Sequence, residues 1–215
     1  MSELAKRSVL GVLMIAAALI AAVLGGYVFA SLVALAAVAM LFEWRRMVAR
    51  WGIGWQVAGF VYALVPALSL LWIRDRYAID GAPMGLELLV WVFVVTWSTD
   101  IGAYFAGRTI GGPKLAPSVS PNKTWAGLVG GVVIATLLAA VWARTVMLPA
   151  NAYWLAAPFA VAAQLGDLFE SGLKRRAGVK DSGNLLPGHG GALDRLDGLV
   201  VVASLTAAAT LAGLL

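Results

Sequence analysis

The sequence predicts an all-α fold, a polytopic bundle of about seven transmembrane helices with a cytoplasmic N-terminus. Of its 215 residues, 61% are hydrophobic and only 13% are charged, whereas a soluble domain is roughly half apolar and a quarter charged. One membrane span needs about 20 mostly apolar residues. Seven such stretches leave little chain for anything else, so residues 1–215 are expected to form a single integral membrane domain.

The N-terminal part, residues 1–95, consists mainly of apolar helices. Its first two apolar runs meet at Gly25-Gly26, which predicts either a tight helical hairpin or one broken helix. The start resembles a secretory signal, but the apolar run continues into a second span without a convincing cleavage site, so we expect it to be retained. The predicted spans are residues 8–24, 27–42, 57–73, 86–106, 126–143, 152–170 and 197–215.

Residues 96–215 carry the polar segments and are predicted to be the catalytic half. The fourth span runs into TDIGAYFAGR, and the fifth follows SPNKTWAG. Gly130-Gly131 in the fifth span is expected to permit close helix packing. The sixth span runs into GDLFES, and Asp194 and Asp197 open the seventh. Polar groups against a membrane bundle are costly enough to indicate function.

The distribution of basic residues predicts the orientation. With the N-terminus inside, 13 of the 16 Lys and Arg residues fall on the cytoplasmic side, and only Arg74, Arg76 and Arg144 fall outside. Residues 107–125 and 171–196 then face the cytoplasm. The net charge of +5 is thereby assigned to topology and anionic headgroups, and no nucleic acid partner is expected.

Cysteine is absent, which excludes disulfides, thiolate nucleophiles and cysteine metal sites. Asp167, Glu170, Ser171 and Lys174 are spaced to lie along one helix face. Carboxylates gathered in a low dielectric repel one another unless they take up protons or a cation. With oxygen ligands and one histidine available, the metal predicted is a hard cation such as Mg²⁺.

Each of these features also has a simpler interpretation. Asp194 and Asp197 are three residues apart, a spacing that fits a metal site. It equally fits acids at a helix N-terminus, where the helix dipole favours negative charge, with Arg195 at the membrane boundary. Asp167 is either a ligand or a packing residue paired with Lys174.

The two polar connections offer phosphate-binding groups. His189, the only histidine, lies among prolines and glycines whose backbone N–H groups can approach phosphate closely. Lys114 and Lys123 lie in a glycine- and proline-rich loop. Either they contact substrate phosphates, or they are the ordinary positive charges of a cytoplasmic loop. No GxxxxGK[ST] phosphate loop occurs.

The segment SGLKRRAGVKDSGNLLPGHGGALDRLD, residues 171–197, closely resembles the C-terminal signature of phosphatidate cytidylyltransferases. The similarity extends upstream through GDLFES, SPNKTWAG and TDIGAYFAGR and covers nearly half of the chain. Ala126 departs from the family, where many members carry glutamate, and Ala192 replaces a larger apolar residue. Neither departure removes a predicted metal ligand.

The resemblance implies a Mg²⁺-dependent transfer of CMP from CTP to phosphatidate, with CDP-diacylglycerol and pyrophosphate as products. It implies Asp167, Asp194, Lys123, Lys174 and His189 as catalytic residues, and Asp167, Asp194 and Asp197 as metal ligands. A second cation stays open, and Asp100 and Glu170 are further candidates. The substrate-binding residues implied are Lys114, Ser120, Asn122, Thr124, Ser171, Arg175, Lys180, Asp181, Gly190, Gly191 and Arg195.

The resemblance further implies a multi-pass protein of a bacterial-type inner membrane, with its active site facing the cytoplasm, and it suggests a homodimer. Its partners would be CTP, phosphatidate and membrane lipid. Three alternatives are weighed: a CTP-dependent enzyme acting on another lipid, such as a polyprenol kinase; a transporter with intramembrane acids; and a CDP-alcohol phosphotransferase. The long signature argues against the first. The polar residues gather at one membrane face, which argues against a transporter. The phosphotransferase pattern is absent, which argues against the third.

Overall fold

A computed structural model describes residues 3–76, 84–186 and 190–215. Within these ranges the chain forms seven long helices, in the order and near the positions that the apolar stretches predict. Most of the helices extend a few residues beyond the predicted spans, because polar ends continue the helix past the apolar core. The helices are α1 (Glu3–Leu24), α2 (Gly26–Met47), α3 (Ile53–Arg74), α4 (Gly85–Thr109), α5 (Trp125–Thr145), α6 (Ala152–Arg176) and α7 (Leu193–Leu211).

The break between α1 and α2 lies at Gly25, which has a φ of 63°. Such a left-handed backbone conformation is open to glycine and strained for other residues. Arg74, at the end of α3, donates from Nε to the Ala22 carbonyl at 2.6 Å and from Nη2 to the Val23 carbonyl at 3.1 Å. The last carbonyls of α1 are therefore satisfied by a side chain from another helix.

Helices α2, α3, α4 and α5 are each long and apolar enough to cross a membrane, whereas the apolar part of α1, Val9–Leu24, is shorter. Large apolar side chains on α2, such as Leu35 and Val38, point outward and are 69% and 66% exposed. A hydrophobic exterior of this kind suits a lipid environment. The fold is therefore a helical membrane bundle, and the full count of seven spans stays a prediction.

The closest helix approach is between α4 and α5. A Cβ added at Gly102 would lie 2.9 Å from the Gly130 carbonyl oxygen, and one added at Gly131 would lie 2.7 Å from the Thr99 carbonyl oxygen. Small residues let helix backbones meet at this distance. The close packing predicted for Gly130-Gly131 is confirmed.

The predicted all-α class omits one element, a small antiparallel hairpin between α4 and α5. Strand β1 (Lys114–Ala116) pairs with β2 (Ser120–Thr124), and Lys114 lies opposite Thr124. The sequence of this hairpin indicated an irregular loop because its prolines are poor strand residues. Thr124 ends β2 and caps α5, since its Oγ1 accepts a hydrogen bond from the Gly127 N–H at 3.0 Å.

An apolar cluster joins the end of α2 to α6 and α7. Trp44 of α2 and Val48, which follows α2, pack together with Leu173 of α6 and with Leu193 and Val200 of α7. This cluster fixes the ends of α2, α6 and α7 relative to one another, and the polar side chains of the site lie around it.

Candidate active site

The polar face of α6 carries four of the predicted site residues, Asp167, Glu170, Ser171 and Lys174. Ser171 Oγ donates to Asp167 Oδ1 at 3.3 Å, and Lys174 Nζ lies 3.0 Å from Glu170 Oε1. Both contacts join residues four positions apart, the spacing at which helical side chains meet. The predicted polar stripe on this helix is confirmed.

The hairpin contributes a lysine to the same face. Lys123 Nζ, on β2, lies 2.6 Å from Asp167 Oδ2 and 3.4 Å from the Gln164 carbonyl oxygen of α6. The Asp167 side chain keeps 33% of its surface exposed, and that of Lys123 keeps 17%. The alternative pairing of Asp167 with Lys174 is wrong, because Lys174 points along the helix to a different acid.

Lys174 connects α6 with α7. Its Nζ lies 2.6 Å from Asp194 Oδ1 in addition to its contact with Glu170. The Lys174, Glu170 and Asp194 side chains are only 12%, 1% and 9% exposed. A buried ammonium between two carboxylates offsets the desolvation of all three groups.

The second oxygen of Asp194 is held by the chain that precedes α7. Asp194 Oδ2 accepts hydrogen bonds from the Ser182 N–H at 3.0 Å, the Ser182 hydroxyl at 3.0 Å and the Gly191 N–H at 2.8 Å. Gly190 has a φ of 82°, and a Cβ there would lie 2.9 Å from Asp194 Oδ2. The glycines therefore allow this backbone to approach the carboxylate closely.

Glu43 of α2 is a member of this region that the sequence analysis missed. It is 1% exposed, and it accepts hydrogen bonds from the Ala192 and Leu193 N–H groups, each at 3.0 Å. The Ser182 hydroxyl also lies 2.9 Å from Glu43 Oε2, so its single proton is shared between Glu43 and Asp194. The available signal was a single acid at the end of an apolar helix, and such residues are costly without a partner.

Asp100, Asp167 and Asp197, from α4, α6 and α7, lie near enough to interact electrostatically. Asp197 Oδ1 accepts the Gly198 N–H at 2.8 Å. Tyr62 of α3 packs on Phe169 of α6 with ring centroids 5.9 Å apart. Acidic groups from three helices thus lie in the region beside Lys123.

The remaining predicted substrate-binding residues differ in exposure. Arg175 Nε donates to the Val119 carbonyl at 3.2 Å, which ties the end of α6 to the turn of the hairpin. Ser171 is buried and Ser120 is half-buried. Lys114, Asn122, Arg175, Lys180, Asp181 and Arg195 are exposed. His189 lies outside the described residues.

Comparison with known proteins identifies the family of the chain. A model described as the cytidylyltransferase family matches residues 54–212. The chain belongs to the cytidylyltransferase family. The match contains every candidate residue of the site except Glu43, and it includes both the hairpin lysine and the acids of α6 and α7.

Several bacterial relatives are phosphatidate cytidylyltransferases by name. The protein from Brucella suis biovar 1 is 47% identical over 178 residues, which cover 81% of this chain and 62% of the relative. The Rickettsia bellii protein is 34% identical over 211 residues, 94% of this chain and 88% of the relative. The Bacillus subtilis protein is 50% identical over 121 residues, 55% of this chain and 45% of the relative. The chain thus spans 62% of the Brucella relative's length.

Within the part of this cytidylyltransferase-family chain that the structure describes, no three His, Asp or Glu side chains are gathered closely enough to hold a metal by themselves. Magnesium in phosphate chemistry commonly uses only one or two carboxylates, with water and substrate phosphates as the other ligands. Asp167 fits this use because it is partly exposed and offers oxygen ligands beside the Asp197 carboxylate. Asp194 would join the ligands only when Lys174 moves to a substrate phosphate, because its Oδ1 lies 2.6 Å from Lys174 Nζ and its Oδ2 already accepts hydrogen bonds from Ser182 and Gly191.

Proposed function

We propose that this member of the cytidylyltransferase family transfers CMP from CTP to phosphatidate and releases pyrophosphate. The proposal is carried by one structural observation: Lys123 of β2 pairs with Asp167 of α6, and Lys174 of α6 pairs with Glu170 and with Asp194 of α7, where these elements come together. A site at helix ends can serve a water-soluble nucleotide and a lipid headgroup at once. The relatives named phosphatidate cytidylyltransferase support the same reaction.

The chemistry needs no covalent enzyme intermediate. A phosphate oxygen of phosphatidate attacks the α-phosphorus of CTP, the bond from that phosphorus to the bridging oxygen breaks, and pyrophosphate leaves with the electron pair. Both reactants are anions, so the protein's task is to align them and to neutralise charge. Lys123 and Lys174 are proposed to contact phosphate oxygens when substrate exchanges for one of their carboxylate partners.

A bound magnesium ion would neutralise developing charge on the transferred phosphoryl group. Asp167, Asp194 and Asp197 are the residues proposed to hold it, with one or two of them in direct contact and water and substrate phosphates as the remaining ligands. Asp167 keeps its orientation through Ser171, and Asp194 keeps its orientation through the Ser182 and Gly191 amides. The protein thereby supplies pre-oriented carboxylates, which lowers the cost of arranging the site during the reaction.

We also propose a multi-pass protein of a bacterial inner membrane, with the hairpin and the end of α6 facing the cytoplasm. The basic residues of these segments support that orientation. CTP would then reach the site from the cytoplasm, while phosphatidate remains in the bilayer. A homodimer is proposed on the family resemblance and can be measured by cross-linking in native membranes.

The decisive experiment incubates purified protein with CTP labelled at the α-phosphate and with one of three acceptor lipids. Label should enter the organic phase with phosphatidate as CDP-diacylglycerol, and it should not do so with diacylglycerol or polyprenol. No organic-phase label with phosphatidate, at any magnesium concentration, would refute the proposed function.

The metal proposal has its own test. Asp167→Asn and Asp194→Asn should each purify folded and lose most activity, because one carboxylate of the site becomes a neutral amide. We expect a loss on the order of several kcal/mol in transition-state stabilisation, with residual activity that needs more magnesium. Normal turnover of either variant at ordinary magnesium would remove that residue from the proposed ligands.

A further inference from the structure

Glu43 is the most completely engaged acid outside the predicted catalytic set. Its Oε1 accepts the Ala192 N–H at 3.0 Å, and its Oε2 accepts the Leu193 N–H at 3.0 Å and the Ser182 hydroxyl at 2.9 Å. All three donors lie at least 139 residues away along the chain. One carboxylate in an N-terminal helix therefore holds the start of the last helix.

A carboxylate is the side-chain group that suits this position. Three donors converge on Glu43, and an ionised carboxylate offers only acceptors. Two of the donors are backbone N–H groups at the beginning of α7, where the helix dipole also favours a negative charge. An amide side chain of the same shape would turn one acceptor into a donor that faces another donor.

The contacts of Glu43 lead directly to Asp194. Ser182 Oγ lies 2.9 Å from Glu43 Oε2 and 3.0 Å from Asp194 Oδ2, so one hydroxyl touches both carboxylates. Gly191 donates its N–H to Asp194, and the next two N–H groups along the chain go to Glu43. The two acids thus hold opposite sides of one turn.

The packing around Glu43 leaves little room for other arrangements. A Cβ on Gly191 would overlap both Ser182 Oγ and Glu43 Oε2, and a Cβ on Gly183 would lie 2.5 Å from Glu43 Oε1. Trp44, the neighbouring residue, is 1% exposed and anchors α2 in the apolar cluster that includes Leu193. A displacement of Glu43 would therefore displace the turn as well.

We propose that Glu43 is a positioning residue, which acts through Ser182 and the Gly191–Leu193 turn to hold Asp194, and thereby Lys174, in the geometry that the reaction needs. The proposal rests on the proposed function for its catalytic consequence. Its structural part, the fixing of the turn by Glu43, stands on the contacts alone. Glu43 does not touch Lys174, so its effect must pass through Asp194.

The test compares Glu43→Gln with a matched control, Glu87→Gln. Glu87 is another acid in an apolar helix, in the first turn of α4, and its Oε2 has no hydrogen-bond partner among the described residues. Both substitutions remove one negative charge and keep the side-chain shape. Only the first should affect the turn before α7.

The first readout is hydrogen exchange, which needs no substrate. In Glu43→Gln the amides of Ala192 and Leu193 should exchange about tenfold faster, as expected from losing a hydrogen bond to a charged acceptor. Amides of α4 and α5 should keep their wild-type rates, and Glu87→Gln should leave Ala192 and Leu193 unchanged. Unchanged exchange at both amides in Glu43→Gln would overturn the proposal.

The second readout is kinetic. Glu43→Gln should lower kcat by about 10-fold to 100-fold, the size of effect seen when a partner that orients a metal-site ligand is removed. KM for CTP and for phosphatidate should change less than about threefold, because Glu43 does not contact them. A wild-type kcat, or a loss confined to KM, would contradict a positioning role.

A double-mutant cycle with Ser182→Ala shows whether Glu43 acts through the hydroxyl. Ser182→Ala keeps the Glu43 carboxylate and its two amide contacts, so it also tests the proposal if Glu43→Gln does not fold. Its kcat should fall by itself, and Glu43→Gln/Ser182→Ala should be less impaired than the product of the single losses. Independent, multiplying losses would overturn the path through Ser182. Wild-type protein without CDP-diacylglycerol formation would refute the proposed function alone, since the exchange result is independent of it.

Discussion

Replacing Lys174 with methionine isolates the energetic role of the buried ammonium. Methionine has a similar length and is apolar, so the substitution removes the charge and little volume. Glu170 and Asp194 would then keep two carboxylates, 1% and 9% exposed, without their common cation. Removing one partner of a buried ion pair costs about 3–5 kcal/mol of the free energy of unfolding.

The expected result is a fall in the unfolding temperature of about 6–20 °C, since 1 kcal/mol corresponds to roughly 2–4 °C in a chain of this size. Thermal unfolding in detergent, followed by tryptophan fluorescence, measures it. The difference from wild type should shrink as the pH is lowered toward 5, because protonation neutralises the carboxylates that have lost their cation. Lys180→Met is the control, because Lys180 is exposed and should change stability by less than about 0.5 kcal/mol.

A second substitution separates stability from catalysis. Lys174→Met/Glu170→Gln removes one of the two unpaired carboxylates and should recover part of the lost stability. It should not recover CDP-diacylglycerol formation if Lys174 contacts a substrate phosphate. Wild-type stability of Lys174→Met would refute the structural reasoning, and full activity of the double variant would remove Lys174 from the catalytic residues.

Three further predictions test two contacts of the site and the orientation of the chain. Asp194→Asn should lower the thermal unfolding temperature more than Asp197→Asn. Asp194 contacts Lys174, Ser182 and Gly191, whereas Asp197 accepts the Gly198 N–H. Equal falls in unfolding temperature would contradict this ranking. Gly191→Ala should lower both stability and kcat, because its Cβ would overlap Ser182 and Glu43, and unchanged values would show that the turn is adaptable. Cysteines at Ser118 and Asn184, both exposed, should react with an impermeant reagent only in inverted vesicles, and reaction in intact spheroplasts would reverse the proposed orientation.

The helical framework could be predicted because apolar length is a direct consequence of the membrane environment. Each of the seven apolar stretches corresponds to one helix, and the stripe from Asp167 to Lys174 follows from helical spacing. Helix ends were less predictable. Polar residues such as Arg175 and Arg176 continue α6 well past its apolar part, because backbone hydrogen bonding does not stop where hydrophobicity does.

The partners within the site could not be predicted from local pattern. The sequence indicated that Asp167 and Lys174 share a helix face. Asp167 instead pairs with Lys123, which lies on the hairpin and is distant in the chain: the α6 residue Gln164, which Lys123 also contacts, is 41 positions further along. Glu43 was missed for a related reason. Its three donors become neighbours only when α2 packs against the beginning of α7, and nothing in the local sequence specifies that contact.

The central claim is that the chain transfers the nucleotidyl group of CTP to phosphatidate, and labelled CTP tests it most directly. Two parallel reactions use CTP labelled at the α-phosphate or at the γ-phosphate, each with phosphatidate and magnesium, followed by separation of lipid from water-soluble products. The account predicts α-label in the lipid and γ-label in pyrophosphate, in equal amounts. Label from the γ-position in the lipid would show a kinase instead, and label in neither lipid fraction would contradict the account altogether.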